Sequence, residues 1–144
     1  MDEMQDERRS LEQAPLALVG FNDREEADWV CELVELNGFI AAAIEDPFVL
    51  PSLIRTERPD LLIVDLAMIF PGISTTLGKI RGTNPDMTAV VILPDDIVEA
   101  GARQDIAMAL GFDLQIARPL SPVVLAGVLR RVVAERGVAL NGGP

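Results

Sequence analysis

Five short apolar runs, separated by stretches whose apolar residues recur at helical spacing, set the strongest limit on what this chain can fold into. The runs are LALVGF (16–21), FIAAAI (39–44), DLLIVD (60–65), TAVVIL (88–93) and DLQIA (113–117). Near-continuous apolarity over so few residues fits strands buried on both faces of a parallel sheet, whereas a sheet with one wet face would alternate. Between the first two, DREEADWVCELVELNG (23–38) carries Ala27, Val30, Cys31 and Val34 at i, i+3, i+4, i+7 spacing and stops at Gly38. PFVLPSLIRTER (47–58) predicts a second helix, and Pro51 argues for a late start. Ile73, Leu77 and Ile80 mark a third helix ending near Gly82, and VEAGARQDIAMALG (98–111) a fourth. Leu125, Val128, Leu129 and Val132 form one face of a fifth, over 121–135. This alternation, joined by short connections, predicts an α/β fold with a doubly wound, five-stranded parallel sheet, because right-handed crossovers place helices on both of its faces.

One core accounts for the pattern, and neither a repeat nor a second domain is evident. Residues 15–135 form the expected domain, with residues 1–14 and 136–144 as flexible tails. A chain of 144 residues, 49% hydrophobic, buries enough surface to fold without staples. Cys31 is the only cysteine and reads as a small hydrophobe within its helix. The opening MDEMQDERRS is acidic where a secretory leader would be basic and then apolar, and no stretch approaches the ~18 apolar residues of a spanning helix. The expected location is therefore cytoplasmic, with no membrane contact.

The formal net charge is -11; residues 1–13 hold five acids and two arginines, so -8 belongs to the rest. Such a surface repels phosphate backbones, which argues against nucleic acid and for protein partners or cations. There is no histidine. That removes the commonest general base, the Ser-His and Cys-His pairs, and imidazole zinc sites.

In folds of this kind chemistry gathers where the strands end at their carboxyl termini. That edge receives Phe21-Asn22-Asp23, Asp46, Asp65, Pro94-Asp95-Asp96 and Arg118-Pro119. Each acid also has a structural reading: Asp65 closes a strand, Asp23 caps the first helix, and Asp95 and Asp96 make a turn.

Two segments on this rim carry a resemblance. PDLLIVDLAMIFPG (59–72) resembles the third strand, phosphoacceptor aspartate and following loop of response-regulator receiver domains in two-component signalling, and GFDLQIARPL (111–120) resembles the segment ending in that family's Lys-Pro pair. The likeness spans 15–135. It implies a flavodoxin-like (βα)5 fold, Asp65 as phosphoacceptor, Arg118 as the cation for the phosphoryl group or a partner for the carboxylate, and Mg²⁺ held by Asp65, Asp23 and Asn22. It also implies a sensor histidine kinase or other signalling protein as partner, with a homodimer left open. The sequence departs from the pattern in several places. Phe21 and Asn22 stand where the family has two acids, Pro94 replaces a hydroxyl residue, Arg118 replaces lysine, and the chain has no tyrosine.

Two functional expectations follow for a non-enzymatic, single-domain signalling protein that acts through protein contacts. In the first, Asp65 is phosphorylated. In the second, the chain is a pseudo-receiver that docks independently of phosphorylation, with Asp65 paired to Arg118; the resemblance points to the fourth helix, fifth strand and fifth helix as the docking face. A nucleotide or flavin binder would need a phosphate-cradling loop where FNDREE stands, and a phosphoaspartyl hydrolase would want a second acid where Ala67 stands.

Overall fold

The computed structural model describes residues 14–69, 77–78, 85–97 and 99–135. Its elements are β1 Leu16–Gly20, α1 Arg24–Leu36, β2 Ile40–Ile44, α2 Leu50–Glu57, β3 Leu61–Asp65, a 3-10 turn Leu66–Met68, β4 Thr88–Leu93, α3 Ala100–Ala109, β5 Leu114–Ala117 and α4 Pro122–Glu135. All strand pairings are parallel, in the order β2-β1-β3-β4-β5. The expected helix through Ile73 and Ile80 lies mostly outside the described residues; Leu77 and Gly78 within it are helical, and Leu77 is buried. The expected tails fall almost wholly outside them as well.

The period of two along each strand divides the core into two layers. Ala17, Val19, Leu61, Ile63, Val90, Ile92 and Ile116 face α1 and α4, where they meet Val30, Val34, Leu125 and Leu129. Leu18, Leu62, Val64, Val91 and Leu93 face the other way, onto Leu50 and Ile54 of α2 and Ala107 of α3. Each fully buried aliphatic side chain contributes about 1.5–3 kcal/mol, so these two layers carry most of the favourable term.

Helix ends follow local chemistry. Asp23 accepts from the backbone N–H groups of Glu25 and Glu26 and starts α1. Pro51 lies in the first turn of α2, whose start is later than the apolar pattern alone would place it. Gly38, at φ 95°, turns the chain out of α1 into β2.

At the amino-terminal edge of the sheet two aspartates clasp neighbouring strands. Asp60 donates its N–H to the Leu16 carbonyl at 2.8 Å and accepts the Leu16 N–H on Oδ2 at 2.9 Å. Asp113 repeats the device on Ala89, with both distances 2.8 Å. Each clasp extends the ladder by one side chain where the backbone pairing runs out.

Candidate functional site

The alternation that sorts the core also aims the polar residues at the opposite edge. Asp65 follows Leu61 and Ile63 at a spacing of two, and Arg118 follows Ile116 likewise, so both belong to the α1/α4 side of the sheet. The β3–β4 register places Asp65 beside Ile92, and the Arg118 N–H donates to the Leu93 carbonyl at 2.8 Å, tying the end of β5 to the end of β4. The peptide bond from Arg118 to Pro119 is cis.

Asp65 and Arg118 are in contact. Arg118 Nε donates to Asp65 Oδ2 at 3.2 Å, and Nη2 donates to the same oxygen. The other carboxylate oxygen, Oδ1, accepts the Ala67 N–H at 2.8 Å and starts the 3-10 turn. A third residue, absent from the set expected from sequence, completes the group. Glu26 accepts from Arg118 Nη1 on Oε2 at 2.9 Å and from Nη2 on Oε1 at 2.6 Å. The guanidinium thus offers one edge to Glu26 and the other to Asp65, the planar fork geometry that distinguishes arginine from lysine.

Both acids are 16% exposed and Arg118 is 32% exposed, so the cluster is shielded but open to solvent on one side. Hydrogen bonds donated to Glu26 raise the Arg118 pKa above its ordinary value; burial opposes this, and Asp65 adds to the rise. The guanidinium is a permanent cation here.

The helical period puts Glu26 on the inner stripe of α1 without naming its partner. Val30 and Val34 of α1 are fully buried, and one turn upstream on the same stripe lies Glu26. An acid on the inner stripe at the first turn faces the strand ends.

The remaining rim residues are placed differently. Phe21 is fully buried in the layer shared with Val19 and Ile63. Asn22 and Asp23 are exposed, and Asp23 Oδ1 is engaged in capping α1, at 3.0 Å from the Glu25 nitrogen. Asp46 Oδ1 accepts the Phe48 N–H at 2.9 Å, and Asp95 and Asp96 form a turn.

Magnesium demands a near-octahedral set of hard oxygen ligands. The residues as arranged do not fit it. Of the residues expected to hold it, Asp65 is turned onto a guanidinium and Asp23 Oδ1 onto a helix end, and the exposed Asn22 adds only a neutral oxygen; Glu26 is engaged by the same guanidinium. No group of three or more Asp, Glu, His or Cys side chains that could hold a metal occurs among the described residues. Nor is any described helix long and apolar enough to cross a membrane.

No protein-family model matches the chain, and no curated protein matches it in sequence. Solved structures do match. The receiver domain of AraT, a response regulator from Geobacillus stearothermophilus, is similar at TM-score 0.67 and 24% identity, over 86% of this chain and 96% of that one. A CheY-like receiver domain from Methanospirillum hungatei JF-1 gives TM-score 0.68 at 17% identity, over 86% and 97%. The signal receiver domain of a putative LuxO repressor protein from Vibrio parahaemolyticus gives 0.66 at 16%, over 87% and 97%. The strand order, the helices on both faces and these neighbours agree: the chain has the fold of the response-regulator receiver domain.

Proposed function

We propose that the chain is a receiver-fold signalling module that works by binding other proteins, with Asp65 held in an ion-paired cluster instead of being presented for phosphoryl transfer. The observation that carries this reading is the closure of Asp65: Arg118 and the Ala67 N–H between them engage both carboxylate oxygens. Glu26 strengthens the closure by fixing the same guanidinium from the other side. Arg118 supplies in cis the positive charge that an acidic pocket needs, without a metal ion. Partners of this kind of module are signalling proteins, and the net charge of -11 favours those with basic contact surfaces.

A second reading, with Asp65 as phosphoacceptor, is supported by its position at the carboxyl end of central strand β3, partly open to solvent and beside a permanent cation. Incubation with a small acyl-phosphate donor, with and without Mg²⁺, separates the two. The ion-paired module takes up no label, as does Asp65→Ala. Acid-stable, base-labile labelling of the unmodified chain that Asp65→Ala abolishes would establish the phosphoacceptor instead.

A further inference from the structure

Strand β2 is one edge of the sheet, and among the described residues no strand pairs with its outer side. The Ile40 N–H donates to the Pro15 carbonyl at 2.8 Å, and the Ile44 carbonyl accepts the Phe21 N–H at 3.3 Å, so both residues bond inward, toward β1. Alternation sends Ala42 inward as well and turns the N–H and carbonyl groups of Ala41 and Ala43 outward. Edge strands are ordinarily guarded by charge, proline or a bulge. The Ile-Ala-Ala-Ala-Ile of β2 has no charge and no proline, pairs with β1 without a bulge, and reads the same in both directions.

We infer that this edge pairs antiparallel with β2 of a second copy of the chain, joining two sheets into one. With Ala42 facing the partner's Ala42, Ala41 and the partner's Ala43 exchange two backbone bonds, as do Ala43 and the partner's Ala41. Ile40 then lies opposite the partner's Ile44, on the face where Ala42 and Ile44 pack against the core beneath α2. In the single chain Ile40 is 41% exposed, and a cavity of about 470 Å³ lined by Ala43, Ile44 and Val49 lies open at the carboxyl end of β2 to receive the partner's Ile40.

The charges agree with this register. Arg24 reaches Glu45 at 3.9 Å, and the Phe39 N–H donates to the Val34 carbonyl at 3.4 Å, so one end of α1 is level with Glu45 and the other with Phe39. Pairing centred on Ala42 sets Glu45 opposite the partner's Phe39 and brings Arg24 level with the partner's Glu35. Arg24, Asp28, Cys31 and Glu35 follow at i, i+4, i+7 and i+11 on one face of α1, Arg24 and Asp28 lie along the same cavity as Ala43, and Arg24 and Glu35 are exposed. Two reciprocal pairs of opposite charge result. The two copies of Glu45 are held about 20 Å apart, beyond a Debye length of ~8 Å at physiological salt. A strand of another protein would match neither the palindrome nor the reciprocal charges. The inference goes beyond the reading of Asp65 and does not depend on it.

Sedimentation velocity of the full chain over a concentration series tests it, and the expected result is a reversible monomer–dimer equilibrium. Ala43→Pro removes an outward N–H without touching the β1 ladder and weakens the dimer about tenfold or more. Met108→Gln, at a 67% exposed residue of α3, leaves it unchanged. Arg24→Glu weakens it and the added Glu35→Arg restores it, a readout that stands even where Ala43→Pro does not fold. Amide exchange at Ala41 and Ala43 slows as concentration rises, while that at Ala42 stays the same. The proposal is overturned by a monomer at millimolar concentration, by a dimer that neither Ala43→Pro nor Arg24→Glu weakens, or by one that Met108→Gln dissolves. A chain that dimerises only after residues 1–13 are deleted gives the edge to that segment instead. Failure here leaves the state of Asp65 to be decided by the phosphodonor experiment alone.

Discussion

Arg118 and Glu26 meet fork to fork, Nη1 at 2.9 Å from Oε2 and Nη2 at 2.6 Å from Oε1, across 92 positions of sequence. Removing the guanidinium leaves Glu26 and Asp65 facing one another without a cation. Partial burial makes that costlier than losing a surface pair and cheaper than losing a fully buried one. Arg118→Ala is expected to cost about 1–2 kcal/mol in urea denaturation, and the double variant with Glu26→Ala less than the sum of the singles.

Asp65 and Glu26 are unequal holders of the same arginine. Asn at position 65 keeps an oxygen for the Ala67 N–H and leaves the Glu26 fork intact, whereas Gln at position 26 breaks the paired geometry. Glu26→Gln is therefore expected to destabilise by about 1 kcal/mol and Asp65→Asn by less. Matched thermal melts check the order, and a larger loss for Asp65→Asn would reverse the assignment of the stronger link.

Burial, with Glu35 and Asp28 nearby, pushes the Cys31 thiol up to about 11. At neutral pH it holds about a hundredfold less thiolate than an ordinary thiol, so reaction with a disulfide reagent is slow in the folded protein and fast in denaturant. The stability consequence has a definite sign. Below the unfolded thiol pKa both states are protonated and nothing changes; between that value and about 11 the folded state binds more proton, so stability falls as pH rises. Cys31→Ser should abolish the reaction and lessen the alkaline fall in stability.

At Gly38 an added Cβ meets nothing within 4 Å, yet φ is 95°. The cost of substitution there is conformational alone, about 1 kcal/mol for Gly38→Ala. Chemical denaturation measures it, and a neutral result would mean that the turn out of α1 relaxes.

The clasps at the other end of the sheet should be visible in exchange. Asp113→Ala removes the acceptor of the Ala89 N–H, and Asp60→Ala that of Leu16. Each is expected to cost about 1 kcal/mol or somewhat more and to speed exchange of that one amide in deuterium. Unchanged exchange at Leu16 and Ala89 would show that the side-chain bonds do not protect them.

Strand runs and helical stripes made the architecture readable, because burial on both faces leaves an unbroken apolar signature that few alternatives share. Asp65 and Arg118 were legible for a related reason, since each ends a strand at the edge where ligands gather. Glu26 was not, because a first-turn glutamate has an ordinary explanation in the helix dipole. Only three-dimensional packing brings it to an arginine from the far end of the chain. Asp60 and Asp113 escaped for the same reason, since an acid before a strand reads as solvated turn until its neighbour's amide is seen to point at it.

A groove lined by Trp29, Leu33 and Leu36 of α1 on one wall and by Leu120 and Pro122 on the other shares its supports with the strand-end cluster. Glu26 lies one turn before Trp29 on α1, and Arg118 lies two residues before Leu120, so the ion pair spans the two walls as a strut. The separation of these two segments is thereby set by charge at the rim as well as by packing beneath. Whatever draws Arg118 toward Asp65 and away from Glu26 also loosens that strut.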